Sequence, residues 1–409
     1  MKVVHVCTSL EGGAGLCAHR IIRSTRAFGI DSKAIVAHGK KSEDVDVVKS
    51  VYPWSKNWLI KKYQVLQNMR RVWPYTEHIY KRIEEEKEKN QKSVTFTSPI
   101  TLYKDIANHP WVEQADLVHL HWIGDFLDYD SFFKEIKKPI IWTIHDENPG
   151  LGGFHYQMWK DNAIESFKDF DDELAIVKEK AYSHVNSMTL VAISSMMRDY
   201  FEGNSLLSRF PCSVIHNGIE EKNFSPISRK CTREALNIPE GSVMFLFAAQ
   251  DIHEDRKGLK ELIGALEELK IPNTLLVCLG NFNTIPNASF EIRCEGFVGN
   301  NRLQSLYYSA ANYFVMPSFQ EAFGQTPLEA MACGTPVVSF PCGIASDLIN
   351  ENNGIVCEDF TADALANGIK TAMSREYDPK IIREDVINRF SYDKIAQQYI
   401  ELYKKVLAK

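Results

Sequence analysis

Short, nearly continuous apolar runs alternate with helical stretches along the whole 409-residue chain, and that alternation constrains the fold more than any other feature. Lys2–Cys7, Lys33–His38, Asp116–Leu120, Pro139–His145 and Thr189–Ile193 read as strands of a first series. Val243–Ala249, Thr274–Gly280, Tyr313–Met316, Pro336–Phe340 and Gly354–Cys357 read as strands of a second. Helical patterns such as Lys257–Leu269, Arg302–Ala311 and Thr361–Met373 lie between them. Strands apolar on both faces need helices on both faces, which means parallel sheets. The expected fold is therefore α/β, with two Rossmann-like, doubly wound domains facing a cleft. The length also exceeds what one core fills. The turn-rich stretch Val214–Pro226 predicts domains over 1–215 and 216–390, with 53–110 as a variable insertion in the first. In 391–409, Ser391 can cap a helix whose stripe Ile395, Tyr399, Leu402 and Val406 must pack, predicted to be on the first domain.

Composition narrows the function class. Lys plus Arg number 47 against 53 Asp plus Glu, a net charge of −6, so no global basic field invites nucleic acid. No apolar run reaches the roughly 18 residues of a spanning helix, and the amino terminus lacks the long apolar stretch of a secretory signal. Nine cysteines, odd in number and never spaced as CxxC, predict free thiols in a reducing compartment and hence a cytoplasmic protein. One segment departs from the average: within 53–82 seven basic residues face one acid, Glu77, and Trp54, Trp58, Trp73 and Tyr80 are interleaved. Basic groups among amphipathic aromatics suit a membrane surface; packing of the aromatics into the first domain or a dimer fits the pattern equally. The charge run Glu84–Lys92 reads as a solvated helix end.

Several residues stand where ligands of open α/β sheets bind. The loop after the first strand, EGGAGLCA, holds Gly12 and Gly13, and glycines there admit a ligand close to the backbone. Its GxGxxA spacing also matches a dinucleotide fingerprint. That match is weakened by a strand ending five residues before the glycines and by a second strand ending near His38, not on an acid. His145 ends the apolar run IIWTIH, at the carboxyl edge of a sheet. His119 and His121 share one strand face, but no third ligand has helical spacing to them, so no metal is expected. Arg256 and Lys257 follow a strand and suit a phosphate; as loop residues they are equally at home in solvent. In SFQEAFGQTPLEAMACGTP, Thr326 can cap a helix with Pro327 at its first position, placing an anion-binding N-terminus after Phe323-Gly324-Gln325. Glu321 and Glu329 flank that loop as acceptors for sugar hydroxyls. Thr326-x-x-Glu329 is also a capping box, so spacing alone leaves Glu329 open.

At these residues the chain resembles the family 4 retaining glycosyltransferases, which have the GT-B fold, over nearly its whole length outside roughly 53–110. The E-x7-E block Glu321–Glu329 is the most specific match; the GGAG loop, VHLHW, WTIHD, AISS, IHNGI and RKG follow in the family's order. Within the family it looks most like bacterial transferases of capsule, exopolysaccharide or O-antigen assembly. The resemblance implies transfer of a sugar from a nucleotide-sugar, UDP- or GDP-linked, to a hydroxyl acceptor, without cofactor or metal. The acceptor would be a sugar or a polyprenyl-diphosphate-linked glycan. It implies His145, Glu321 and Lys257 as catalytic. Gly12, Gly13, Arg256, Lys257, Glu321, Phe323, Gly324, Gln325, Thr326 and Glu329 would bind the donor, with His121, Asp146, His155 and Ser194 on the acceptor side. Two positions depart from the pattern. Asp251 stands where many members carry a second diphosphate cation, a role Arg256 would have to take, and Phe154 replaces a small residue of the GG-x-HY motif. A phosphorylase or synthase acting on soluble sugars and, in another class, an NAD(P)-dependent oxidoreductase remain as alternatives.

Overall fold

The computed structural model describes residues 1–49, 73–90 and 94–408. They divide into two compact units. The first comprises Met1–Ile193, Met197–Ile215 and Ala396–Lys409; the second comprises Ser194–Met196 and His216–Ile395. The fold is GT-B, built from two parallel-sheet α/β units.

The first unit holds seven strands: β1 (Lys2–Ser9), β2 (Asp31–His38), β3 (Val45–Val47), β4 (Leu117–Leu120), β5 (Ile140–Ile144), β6 (Met188–Ala192) and β7 (Cys212–Val214). Their order is β3-β2-β1-β4-β5-β6-β7 and every pairing is parallel. The chain reverses direction of growth at β1 and β4. Their carboxyl ends therefore form the crevice where ligands of such sheets bind. All residues of β4, β5 and β6 are buried, as their apolar sequences require. The helix Tyr392–Leu407 packs in this unit from Ala396 onward, with Tyr399 and Tyr403 fully buried.

The second unit holds β8 (Val243–Asp251), β9 (Thr274–Asn281), β10 (Glu291–Cys294), β11 (Tyr313–Met316), β12 (Val337–Ser339) and β13 (Gly354–Val356), ordered β10-β9-β8-β11-β12-β13. All pairings are parallel. Its switch point lies between β8 and β11. Phe245, Leu262, Val315, Val338 and Ile369 are fully buried in its core.

The structure corrects several sequence expectations. β3, β7 and β10 are short, half-exposed strands near the sheet edges that carry no apolar run of their own. β1 runs to Ser9 and the next helix, Gly12–Ala27, starts three residues later. The turn is thus tighter than the five residues expected, and of the two arguments against a dinucleotide fingerprint only β2 ending on His38 stands. The run Glu84–Lys92 is not wholly solvated: it ends the helix Trp73–Asn90, where Glu86 is buried, accepting from Ser166 (2.6 Å) and Lys89 (2.8 Å).

Candidate functional site

In the second unit, the switch point brings together two loops distant in sequence. β8 leads through the 3-10 turn Asp255–Lys257 into the helix Leu259–Leu269, and β11 leads through Ser318–Gly324 into the helix Gln325–Ala332. The first turn fits against the second loop only because residue 258 is glycine. Gly258 has φ +71°, and a Cβ would meet the Pro317 carbonyl oxygen at 1.9 Å. Lys257 Nζ donates to Glu321 Oε1 at 2.6 Å, and Arg256 Nη1 lies 3.3 Å from Glu321 Oε2. Arg256 is 7% exposed and also donates to Glu254 Oε1 (2.8 Å) and the Gln320 carbonyl. It is thus a buried clamp joining the two loops. Burial alone would push the Glu321 carboxyl up. The Lys257 and Arg256 charges outweigh it and hold the group at about 2. Glu254 and Glu321 together balance the two cations, with Lys257 paired to Glu321 and Arg256 shared between the two carboxylates.

The helix after this cluster does not begin as the sequence predicts. Its N-cap is Gly324, at φ +85°, and no side chain caps it; Thr326 lies inside the first turn. The capping box therefore does not form. Glu329 is buried, and its Oε2 accepts from the Tyr308 hydroxyl at 2.9 Å. With no side-chain cap, the first-turn N–H groups of this eight-residue helix point toward the Phe323–Gln325 loop. That combination, with the neighbouring cations, accommodates an anion. Phe323 is buried, its carbonyl accepting from Ile344 N–H at 2.7 Å, while Gln325 Nε2 donates to the Gly218 carbonyl at 3.0 Å. Ser194 belongs to this unit, and its hydroxyl donates to the Ala322 carbonyl at 2.8 Å.

In the first unit, the carboxyl ends of β1, β4 and β5 present Gly12, Gly13, His121, Trp122, His145 and Asp146. Gly12 needs its positive φ of 73° to start the helix, whereas Gly13 has open space where a Cβ would stand, room a ligand can use. Trp122, His121, His145, Asp146 and Asn148 line one pocket. Behind it Asp146 and His155 are committed to each other. His155 Nδ1 donates to Asp146 Oδ2 at 2.6 Å, Trp122 Nε1 donates to the same oxygen at 2.8 Å, and Thr97 Oγ1 lies 3.0 Å from His155 Nε2. Both residues are buried, so they hold the pocket wall; His145, half-buried, is the histidine that lines the pocket beside them. Trp122, Thr97 and Asn148 carry this wall, yet sequence reasoning gave them no role; the clue available was Trp122 directly after the His-x-His strand.

His121 leads inward to His5, whose Nδ1 lies 3.0 Å from His121 Nε2. His5, His119 and His121 offer ring nitrogens within 4.8 Å of one another, the grouping that spacing along one strand could not reveal because His5 sits on the paired strand β1. The His119 nitrogens already meet Tyr403 Oη and Thr143 Oγ1, both at 2.8 Å, so a metal bound through either nitrogen would have to displace one of these contacts.

The substitution at Phe154 also has a structural account. Phe154 is fully buried against Phe96 and Phe167, with ring centroids 4.9 and 4.6 Å away. Phe96 and the neighbouring Ile79 and Ile83 come from the 53–110 stretch. The large side chain thus fits a core that the insertion itself supplies. Arg82, one of the basic residues of the 53–82 segment, pairs with Glu173 and lies over Phe170 at 4.1 Å; residues 53–72 of that segment lie outside the described residues. No helix among the described residues is long and apolar enough to cross a membrane.

Residues 228–389 match the family described as Glycosyl transferases group 1, and they contain the whole Arg256–Lys257–Glu321–Glu329 constellation. The chain is 28% identical over 314 residues to an uncharacterised glycosyltransferase of Methanocaldococcus jannaschii, covering 72% of this chain and 76% of that protein. It is 26% identical over 254 residues (54% of this chain, 63% of the relative) to alpha-maltose-1-phosphate synthase of Mycobacterium tuberculosis. It is also 26% identical over 209 residues (48% and 54%) to N,N'-diacetylbacillosaminyl-diphospho-undecaprenol alpha-1,3-N-acetylgalactosaminyltransferase of Campylobacter jejuni. In fold it is similar to Anabaena HepE, solved in complex with UDP and glucose, with a TM-score of 0.66, 16% identity and coverage of 99% of this chain and 100% of that one.

Proposed function

We propose that this glycosyltransferase uses a nucleotide-sugar donor, retains the donor's anomeric configuration and needs no metal. The observation that carries the reading is the Lys257–Arg256–Glu321 cluster beside the helix that opens at Gly324, which together offer positive charge and N–H donors to a diphosphate. Charge developing on a departing nucleoside diphosphate would be stabilised by Lys257 and the Phe323–Thr326 amides. Glu321 would accept from donor-sugar hydroxyls and Glu329 from the ribose. His145 would stand beside the reacting sugar. In this reading the acceptor hydroxyl attacks on the face the diphosphate leaves, and a diphosphate oxygen takes its proton.

For the acceptor, the resemblance to cell-surface polysaccharide transferases, and a relative whose name contains diphospho-undecaprenol, support a polyprenyl-diphosphate-linked glycan. The chain would then work on the cytoplasmic side of a membrane. A soluble sugar is the second reading, favoured by the maltose-1-phosphate synthase relative. A thermal-shift panel of UDP-, GDP-, ADP- and CMP-sugars tests the donor, since a ligand at 100 times its Kd stabilises by about 2.7 kcal/mol. Stabilisation by NAD(P)H with none by any nucleotide-sugar would overturn the reading. NMR of the product's anomeric signal tests retention, and supplying lipid-linked or free sugar acceptors separates the two acceptor classes.

A further inference from the structure

We propose that His5 and His121 set the tautomer of His145, so that His145 presents an Nδ1–H donor to the first unit's pocket. His5 is fully buried on β1, and its Nε2 has no hydrogen-bond partner among the described residues. His5 Nδ1 lies 3.0 Å from His121 Nε2, and His121 Nδ1 lies 3.5 Å from His145 Nε2. The three imidazoles thus form a single chain of contacts from the core to the pocket that His145 lines.

Only one proton assignment along this chain keeps an N–H without an acceptor off the fully buried His5 Nε2. All three rings are held neutral by burial, His5 at about 3 and His145 at about 4, with His121 also well below the ordinary histidine value. The neighbouring charges, Arg26 near His5 and Asp146 near His145, do not reverse this. Each neutral ring carries one proton. A buried N–H left unpaired is rarer in proteins than a buried lone pair left unpaired. The orphan Nε2 of His5 therefore keeps the lone pair and its proton sits on Nδ1. That proton is donated to His121 Nε2, which puts the His121 proton on Nδ1. It is donated in turn to His145 Nε2, leaving the His145 proton on Nδ1, which has no protein partner among the described residues. His119, its ring tilted 32° to that of His121 with centroids 4.1 Å apart, is satisfied by two hydroxyls that can rotate either way, so it imposes no direction on the chain.

The consequence is chemical. His145 gives a hydrogen bond to an oxygen in the pocket and does not take a proton there, and His5 and His121 are positioning residues. That the oxygen belongs to a sugar rests on the glycosyltransferase reading above; the tautomer rests on the protein alone. Long-range proton–nitrogen NMR of the full chain labelled with 15N-histidine at pH 7 tests it, with signals assigned by the loss seen in His145→Gln. The expected result is Nδ1–H with a bare Nε2 at His5, His121 and His145. An Nε2–H at His145, or a signal averaged over both forms, overturns the proposal. His121→Leu removes the group that donates to His145 Nε2 and should convert the fixed His145 signal to an averaged one, and an unchanged signal also overturns it. Should that variant fail to fold, the wild-type spectrum still decides. Failure of every nucleotide-sugar to bind would refute the glycosyltransferase reading and leave this spectrum unaffected, so the two failures are distinguishable.

Discussion

Glu321→Gln separates the structural role of the cationic cluster from its role as an anion site. Glu321 carries a folded-state pKa of about 2 where the ordinary value is 4.5. Because the folded value is depressed, the charged form contributes stability above about pH 4.5, and that contribution is lost as pH falls toward 2. A shift of this size corresponds to about 3 kcal/mol at neutral pH. Glutamine keeps the shape and some hydrogen bonding but takes away the carboxylate that Lys257 and Arg256 share, Arg256 keeping Glu254. At roughly 2–4 °C per kcal/mol for a domain of 150–250 residues, the second unit's melting temperature should fall by about 6–12 °C at pH 7. It should fall much less at pH 3, where the wild type has begun to lose the same contribution. A nucleoside diphosphate brings back the missing negative charge. Differential scanning fluorimetry with UDP or GDP should therefore give a larger shift for Glu321→Gln than for the wild type, while turnover of the intact sugar donor falls. An unchanged melting temperature would show that the ion pair contributes nothing net. A smaller diphosphate shift than the wild type's would refute the idea that Lys257 and Arg256 are available to phosphate once the carboxylate is gone.

Lys257→Ala should weaken nucleoside diphosphate binding by about 10- to 100-fold in calorimetry, the size of one charge-assisted contact. His145→Ala should lower turnover more than it raises the donor's KM, with an unchanged circular dichroism spectrum; near-normal turnover would make His145 structural. Tyr308→Phe removes the hydroxyl from Glu329 Oε2 and should cost about 1–3 kcal/mol in thermal stability. Any accompanying change in nucleotide affinity would tie Glu329 to the ligand. Full activity in excess EDTA is expected, and strict dependence on Mg²⁺ or Mn²⁺ would contradict the metal-free mechanism.

What the sequence revealed depended on whether the signal was local. Strands such as Ile140–Ile144 are fully buried, so their own residues announce them. Glu291–Cys294 is a half-exposed edge strand that exists because β9 offers it a parallel partner, a cause no window of sequence contains. The same division runs through the site. The Glu321–Glu329 spacing was visible, but the contact of Lys257 with Glu321, 64 residues apart, is made by the β8/β11 switch point. Thr326 looked like the helix cap because it has the right side chain. A left-handed Gly324 takes that place, since its neighbour Met316 allows no side chain there: a Cβ would meet its sulfur at 2.8 Å.

The insertion and the GG-x-HY turn are best understood as one adaptation. A Cβ on Gly152 would meet the Asp171 carbonyl oxygen at 1.7 Å, and one on Gly153 would meet the Phe96 ring at 2.3 Å. The turn is therefore clamped between the helix Glu165–Ser183 and the segment after Trp73–Asn90. Asp171 Oδ1 accepts from the N–H groups of Gly153 and Phe154, at 2.6 and 3.0 Å, fixing the turn that delivers His155 to Asp146. Phe154 and Phe96 then seal it from one side with apolar area that neither could bury without the other. The pocket wall at Asp146 thus depends on a segment that the glycosyltransferase motifs do not contain. A small residue at 154 would leave a cavity beneath Phe96, of the kind that costs about 3–5 kcal/mol when a buried phenylalanine is truncated. The departure from the motif and the extra segment are the two halves of one core.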